Sequence, residues 1–306
     1  MTMGDEFSEL RDEFWRHHAS GRLREALAVA ERAWDGLPER RGYAWLFLAA
    51  AHCGLGQQDA AIEALERAES ENHLWRLGLL RVPELQPLRS DPRFEALATR
   101  AEARAASRNF QPGLLLKEPE PVVTRPTLLL GLHGATSTAD EYHRHWLPAT
   151  AFGCMVASAQ STQPATETTF CWDDRNQVRR DVKTVISKLP PHGEMVLTGF
   201  SQGALVALEL ALTGDLGPAA GVIAVAPSFP QPERLPDSTM TLNVQIVYGT
   251  GDSWGRTVPV VADALHRRGH QVAVDEVPGL GHDFPHDFAE RLPALLRRAR
   301  EGVRAP

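Results

Sequence analysis

From residue 127 onward, short runs of consecutive apolar residues alternate with longer stretches in which apolar positions recur every three or four residues. The runs lie near 127–132, 155–159, 195–199, 221–226, 244–249 and 272–277, and predict strands buried on both faces. The stretches between them predict helices near 138–147, 174–188, 202–213, 255–268 and 285–300. Such alternation predicts an α/β fold, a mostly parallel sheet with helices on both faces. Residues 5–105 read differently, with helical spacing of apolar positions and no strand-like run.

Within the helical half a pattern recurs. Gly21, Ala26, Leu27, Glu31, Arg32 and Ala33 return 35 residues later as Gly56, Ala61, Ile62, Glu66, Arg67 and Ala68. The second copy, from Gly42 to about His73, resembles a tetratricopeptide repeat, with Trp45, Leu48, Ala49, Gly56, Ala61, Leu65 and Ala68 at its large, small and turn positions. Asp91 or Ser90 is expected to cap a last helix whose first turn holds Pro92. The expected organisation is an all-α tetratricopeptide-like domain over 1–106, a linker over 107–125 with an edge strand at Leu114–Lys117, and an α/β domain over 126–306.

Three strand ends carry chemistry. Met195-Val-Leu-Thr-Gly-Phe-Ser201-Gln-Gly203 stops an apolar run at a Gly-bracketed serine and starts an apolar helix at once, the pattern of a nucleophile elbow. Asp252 follows the run Val244–Gly249, and His282 follows the run that begins at Val272, each flanked by glycine. Ser201 and Asp252 are 51 residues apart, and Asp252 and His282 are 30 apart. Parallel strands bring their C-terminal ends to one edge, so the three loops are expected to meet there. Serine would attack, histidine would take its proton, and aspartate would hold the ring.

A tetrahedral oxyanion needs donors. One is expected from the backbone N–H of Gln202, directly after the serine. The other is expected after the run Thr127–Leu132, with Ala135 the first choice and Thr136 the second. His133, Thr136 and Trp172 are candidate substrate contacts; His133 reads first as an anchor of the turn, and Trp172 equally as cover for the sheet edge. Asp173 is expected to cap the next helix. His143 and His145 read as surface polarity, and the His282/His286 spacing as a helix start and not a metal site. No cofactor is required.

Residues 120–306 resemble the phospholipase/carboxylesterase branch of the α/β-hydrolases, which includes acyl-protein thioesterases. The resemblance rests on Leu132-His-Gly134, Gln160-Ser-Thr-Gln163, Trp172-Asp-Asp174, Gly199-Phe-Ser-Gln-Gly203, Gly249-Thr-Gly-Asp252 and Gly279-Leu-Gly-His282. It implies metal-free hydrolysis of esters or thioesters. His-Gly continues here as Ala135-Thr136-Ser137, unlike the acyl-protein thioesterases. Only 17 residues separate Ala226 from Val244, too few for a cap domain at that point, so an open cleft is expected.

Composition narrows the partners. The net charge is −7 with no long basic run, which argues against nucleic acid. No uninterrupted apolar stretch approaches the length of a membrane span, and the acidic start lacks a signal-peptide core. Cys53, Cys154 and Cys171 are an odd, scattered set that suggests reduced thiols and a cytoplasmic setting. The helical half offers a surface for a protein partner or self-association. The competing class is therefore an adaptor fused to an inactive hydrolase, against which all three reactive residues stand intact.

Overall fold

In the computed structural model the described residues are 3–73, 76–166, 168–229, 231–238 and 240–301. They form two compact units. One runs to Phe110 and also takes in Gln163–Thr169; the other comprises Gln111–Thr162 and the chain from Phe170 onward.

The first unit is built from α1 (Met3–Ala19), α2 (Leu23–Gly36), α3 (Arg41–Gly54), α4 (Gln58–Ser70) and α5 (Pro92–Ser107), with 3₁₀ turns at Leu77–Arg81 and Pro83–Leu88. The 35-residue recurrence maps onto two helical hairpins. Gly21 and Gly56 both take left-handed backbone, φ 71° and 73°, between the paired helices. Ala26, Ala30, Ala33, Ala49, Ala61 and Ala68 are fully buried where the helices face each other, and Trp34, Trp45, Phe47 and Ile62 fill the space between. Asp91, not Ser90, caps α5 by accepting from Arg93 N–H. Segment 163–169 belongs to this core, with Ala165 buried and the Thr166 methyl occupying the space a Cβ on Gly42 would need.

The second unit holds a seven-stranded sheet: β1 (Gly113–Lys117), β2 (Thr127–Leu132), β3 (Cys154–Gln160), β4 (Met195–Phe200), β5 (Gly221–Val225), β6 (Asn243–Gly249) and β7 (Gln271–Val277). Their spatial order is β1-β3-β2-β4-β5-β6-β7. Only β1 is antiparallel, pairing Gly113 with Gln160 through Lys117 with Val156. The others are parallel, as β2 against β4 with Leu128 opposite Met195.

Successive side chains of a strand point to opposite faces, so the central apolar runs serve two cores. By contrast β7, at the edge of the sheet and carrying Asp275 and Glu276, is not buried on both faces, contrary to the expectation from its run. Leu128, Leu130 and Leu132 pack with Leu197, Val222 and Ile246 beneath α7 (Arg175–Ile186), α8 (Gln202–Thr213) and α9 (Val258–Arg267). Leu129, Val156, Val196, Ile223 and Val247 pack on the other side, beneath α6 (Ala139–Trp146) and α10 (Phe288–Arg300). The mostly parallel α/β-hydrolase sheet, covered on both faces and preceded by an all-helical region, is the architecture observed.

Three boundaries move. The α9 helix starts at Val258 and not near 255, because Asp252 first caps a 3₁₀ turn over Ser253–Thr257 through Trp254 N–H. Helix α10 starts at Phe288, after the turns that follow His282. Asp174, not Asp173, caps α7, accepting from Asn176 and Gln177 N–H; Asp173 is engaged elsewhere.

Candidate active site

The turn after β4 is tight enough to exclude side chains. A Cβ on Gly199 would lie 2.3 Å from the carbonyl carbon of Gly203, and one on Gly203 would lie 2.2 Å from the Leu132 carbonyl oxygen. All these neighbours are backbone and cannot swing aside. Between the two glycines Ser201 takes φ 53°, ψ −117°, a conformation that costs a non-glycine residue about 1–3 kcal/mol. The surrounding β4–α8 packing holds it there. Ser201 N–H donates to Val225 O at 3.0 Å, and its carbonyl accepts from Leu205 N–H as α8 begins.

The loops after β6 and β7 are registered against each other. Thr250 N–H donates to Val277 O and Gly251 N–H to Leu280 O, at 3.0 and 2.9 Å. Gly249 touches this second loop so closely that a Cβ would sit 2.0 Å from Leu280 O. The pairing sets Asp252 beside His282: the His282 Nδ1 to Asp252 Oδ2 distance is 2.7 Å. A carboxylate only accepts, so Nδ1 carries the proton and Nε2 of the neutral ring is an acceptor. That Nε2 lies 2.9 Å from Ser201 Oγ. The other carboxylate oxygen, Oδ1, accepts from Trp254 N–H at 2.9 Å, and the Asp252 side chain is wholly shielded from solvent. Phe200 meets the His282 ring edge to face at 5.0 Å and stacks on Phe284 and Tyr142. His145 lies flat on Phe284, 4.1 Å between centroids, and His143 bonds Ser158 Oγ at 2.8 Å. Both are half-buried, so they are not mere surface polarity, and burial lowers their ring pKa values from the usual histidine range.

The loop after β2 is held by His133, 1% exposed. Ser161 N–H, which can only donate, points at His133 Nε2 at 3.3 Å, so Nδ1 bears the hydrogen and donates to Gly134 O at 2.7 Å. Gln160 Nε2 also donates to that Nε2, at 3.1 Å. Desolvation pushes the His133 pKa down to about 4, and the ring is neutral near pH 7. Thr136 has φ 57°, unusual for a β-branched residue, and its hydroxyl is buried without a partner. Among the described residues no acceptor meets the backbone N–H of Ala135, Thr136 or Gln202.

Trp172 is fully buried. Its indole N–H donates to His133 O at 2.9 Å and its backbone N–H to Gln202 Oε1 at 2.8 Å, while Gln202 Nε2 donates to Asp173 Oδ1 at 2.7 Å. Gln160 and Asp173 carried no assignment to this loop from sequence; the adjoining Gln160-Ser161 and Trp172-Asp173 segments were their only trace. No described helix is long and apolar enough to cross a membrane.

Comparison with known proteins bears on family and fold. Residues 150–293 match the family model described as Phospholipase/Carboxylesterase. No curated protein sequence matches the chain. Among solved structures, an uncharacterized protein from Bacillus cereus ATCC 10987 is 21% identical with a TM-score of 0.54, covering 96% of this chain and 99% of that one. Esterase PE8 is 18% identical with a TM-score of 0.52, over 62% of this chain and 100% of its own. The butyrate-bound esterase Est2 from Thermogutta terrifontis is 16% identical with a TM-score of 0.50, over 65% and 93%. At these identities the structural matches speak to fold, and the family model to kinship. Residues 150–293 of the α/β unit are thus similar to the phospholipase/carboxylesterase family of carboxylic ester hydrolases, and the unit has the α/β-hydrolase fold.

Proposed function

We propose that the chain is a serine carboxylesterase that cleaves short-to-medium acyl esters, and thioesters by the same route, through an acyl-enzyme. The observation that carries this reading is the continuous hydrogen-bond path from Ser201 Oγ to His282 Nε2, 2.9 Å, and from His282 Nδ1 to Asp252 Oδ2, 2.7 Å. As the Ser201 oxygen bonds to the acyl carbon, its proton passes to His282 Nε2, and the buried Asp252 carboxylate stabilises the imidazolium. The carbonyl π electrons move to oxygen, where the N–H groups of Gln202 and Ala135 receive the charge, with Thr136 N–H as the alternative to Ala135. Collapse expels the alcohol or thiol, which takes the proton from His282. Water then repeats the sequence on the acyl-serine and releases the acid.

The test is hydrolysis of a panel of chromogenic acyl esters by the full chain and by Ser201→Ala. The expected outcome is turnover by the first and under about 1% of it by the second, since loss of a triad member costs orders of magnitude. Near-native melting of the variant shows that the loss is chemical. No turnover at any chain length, or a variant that retains activity, overturns the proposal.

A further inference from the structure

The two oxyanion donors come from loops nearly seventy residues apart, yet one charge must satisfy both. Donors are useful only when they converge on the point where charge develops. What joins them is on the other side of their peptides. In a trans peptide the C=O and N–H point in opposite directions. By donating to Gly134 O at 2.7 Å, His133 Nδ1 turns the next N–H, that of Ala135, away from its ring. The preceding peptide is fixed as well, because His133 O accepts from the Trp172 indole at 2.9 Å while the two rings lie 4.7 Å apart.

Trp172 also reaches the second donor. Its backbone N–H and the carboxylate of Asp173 grip both ends of the Gln202 side-chain amide, at 2.8 and 2.7 Å. The Gln202 side chain is thereby held at both ends of its amide, and its backbone N–H stands at the open start of α8, where a ligand can meet it. Arg175, in the first turn of α7, bonds the Trp172 carbonyl and anchors the strap from behind.

We infer that Trp172 and Asp173 form a two-residue strap that sets the spacing and aim of the two oxyanion donors, and that Trp172 is a positioning residue instead of a wall of the acyl pocket. The inference rests on the hydrolase reading above. A tryptophan lining the pocket would be exposed to the acyl chain; this one is fully buried, with both of its N–H groups bonded inside the loop framework.

The experiment compares wild type with Trp172→Phe, which keeps an aromatic ring but removes the indole N–H together with the second ring of the indole. It reads kcat and KM on a chromogenic butyrate ester and Ki for an alkyl boronic acid, whose serine adduct puts an oxyanion where the transition state does. Misaimed donors are expected to lower kcat about tenfold to a hundredfold and to raise the boronate Ki by a similar factor, less than outright loss of a donor costs. KM stays within about twofold, because the ground-state carbonyl gains little from the same donors. Kinetics unchanged from wild type, or a rise in KM with kcat and Ki unmoved, overturns the strap. If Trp172→Phe fails to fold, Asp173 decides: Asp173→Ala should show the same kcat and Ki pattern, and Asp173→Asn, which keeps an acceptor oxygen, should recover most of the loss. Equal effects of Ala and Asn, or none, overturn it too. Failure of wild type to turn over any ester sinks the hydrolase reading itself, a result distinct from an active wild type with a silent Trp172→Phe.

Discussion

Acid should unfold this protein partly through one ring. His133 is buried, accepts at Nε2 from Ser161 and Gln160, and donates at Nδ1 to Gly134 O. Protonating Nε2 would turn that acceptor into a donor facing two donors, inside the core. Its pKa is pushed down to about 4 by desolvation, against 6.5 for the ordinary side chain. The folded state therefore binds this proton less readily than the unfolded one. The stability it contributes is fully present above the unfolded value and is lost as pH falls toward the folded value. The two values stand about 2.5 pH units apart, which at about 1.4 kcal/mol per unit gives a loss of about 3 kcal/mol between pH 7 and pH 4. His73, His143, His145 and His270 shift in the same direction through desolvation, so the assay must isolate one ring. Urea unfolding at the two pH values, run on wild type and on the non-titrating His133→Gln, does so as a difference of differences. Histidine-ring NMR across the same range measures the site directly. A His133 midpoint near that of an exposed histidine, or identical acid losses in both proteins, would refute the reasoning.

Two other perturbations test the neighbouring geometry. Gly203→Ala places a methyl 2.2 Å from Leu132 O and 2.5 Å from His133 O, both backbone, so it should destabilise by at least about 2–3 kcal/mol or yield no soluble protein; a melting temperature equal to wild type would show that the elbow is looser than described. Asp252→Asn keeps the shape but removes the acceptor that fixes the His282 proton on Nδ1, so kcat should fall by about 10³–10⁴ with little change in melting, and a loss under tenfold would exclude the proposed role.

Much of the frame was legible because its signals are local. Continuous apolar runs such as Leu128–Leu132 announce strands, and the glycines bracketing Ser201 announce a crowded turn, all within a few residues. β1 was readable from Leu114–Lys117 for the same reason. Beyond the shifted helix starts, the misses are relations between distant residues. Nothing near Asp173 says that Gln202 lies 29 residues on and within 2.7 Å, so the cap was assigned to the wrong one of two adjacent aspartates. Trp172 could not be sorted between pocket and interior until its indole found His133 O, 39 residues back. The half-burial of His143 and His145 likewise depends on Ser158 and Phe284. Segment 163–169 carried no helical pattern that would assign it to the first unit.

That last segment bears on how the polypeptide comes into being. The first unit is discontinuous: its final piece, Gln163–Thr169, is translated only after β1, β2 and β3 have been made. On a ribosome the five helices therefore emerge before Thr166, which fills the space beside Gly42. A gene cut at residue 110 would not separate two finished modules. It would leave one fragment missing a plug and the other displaying it.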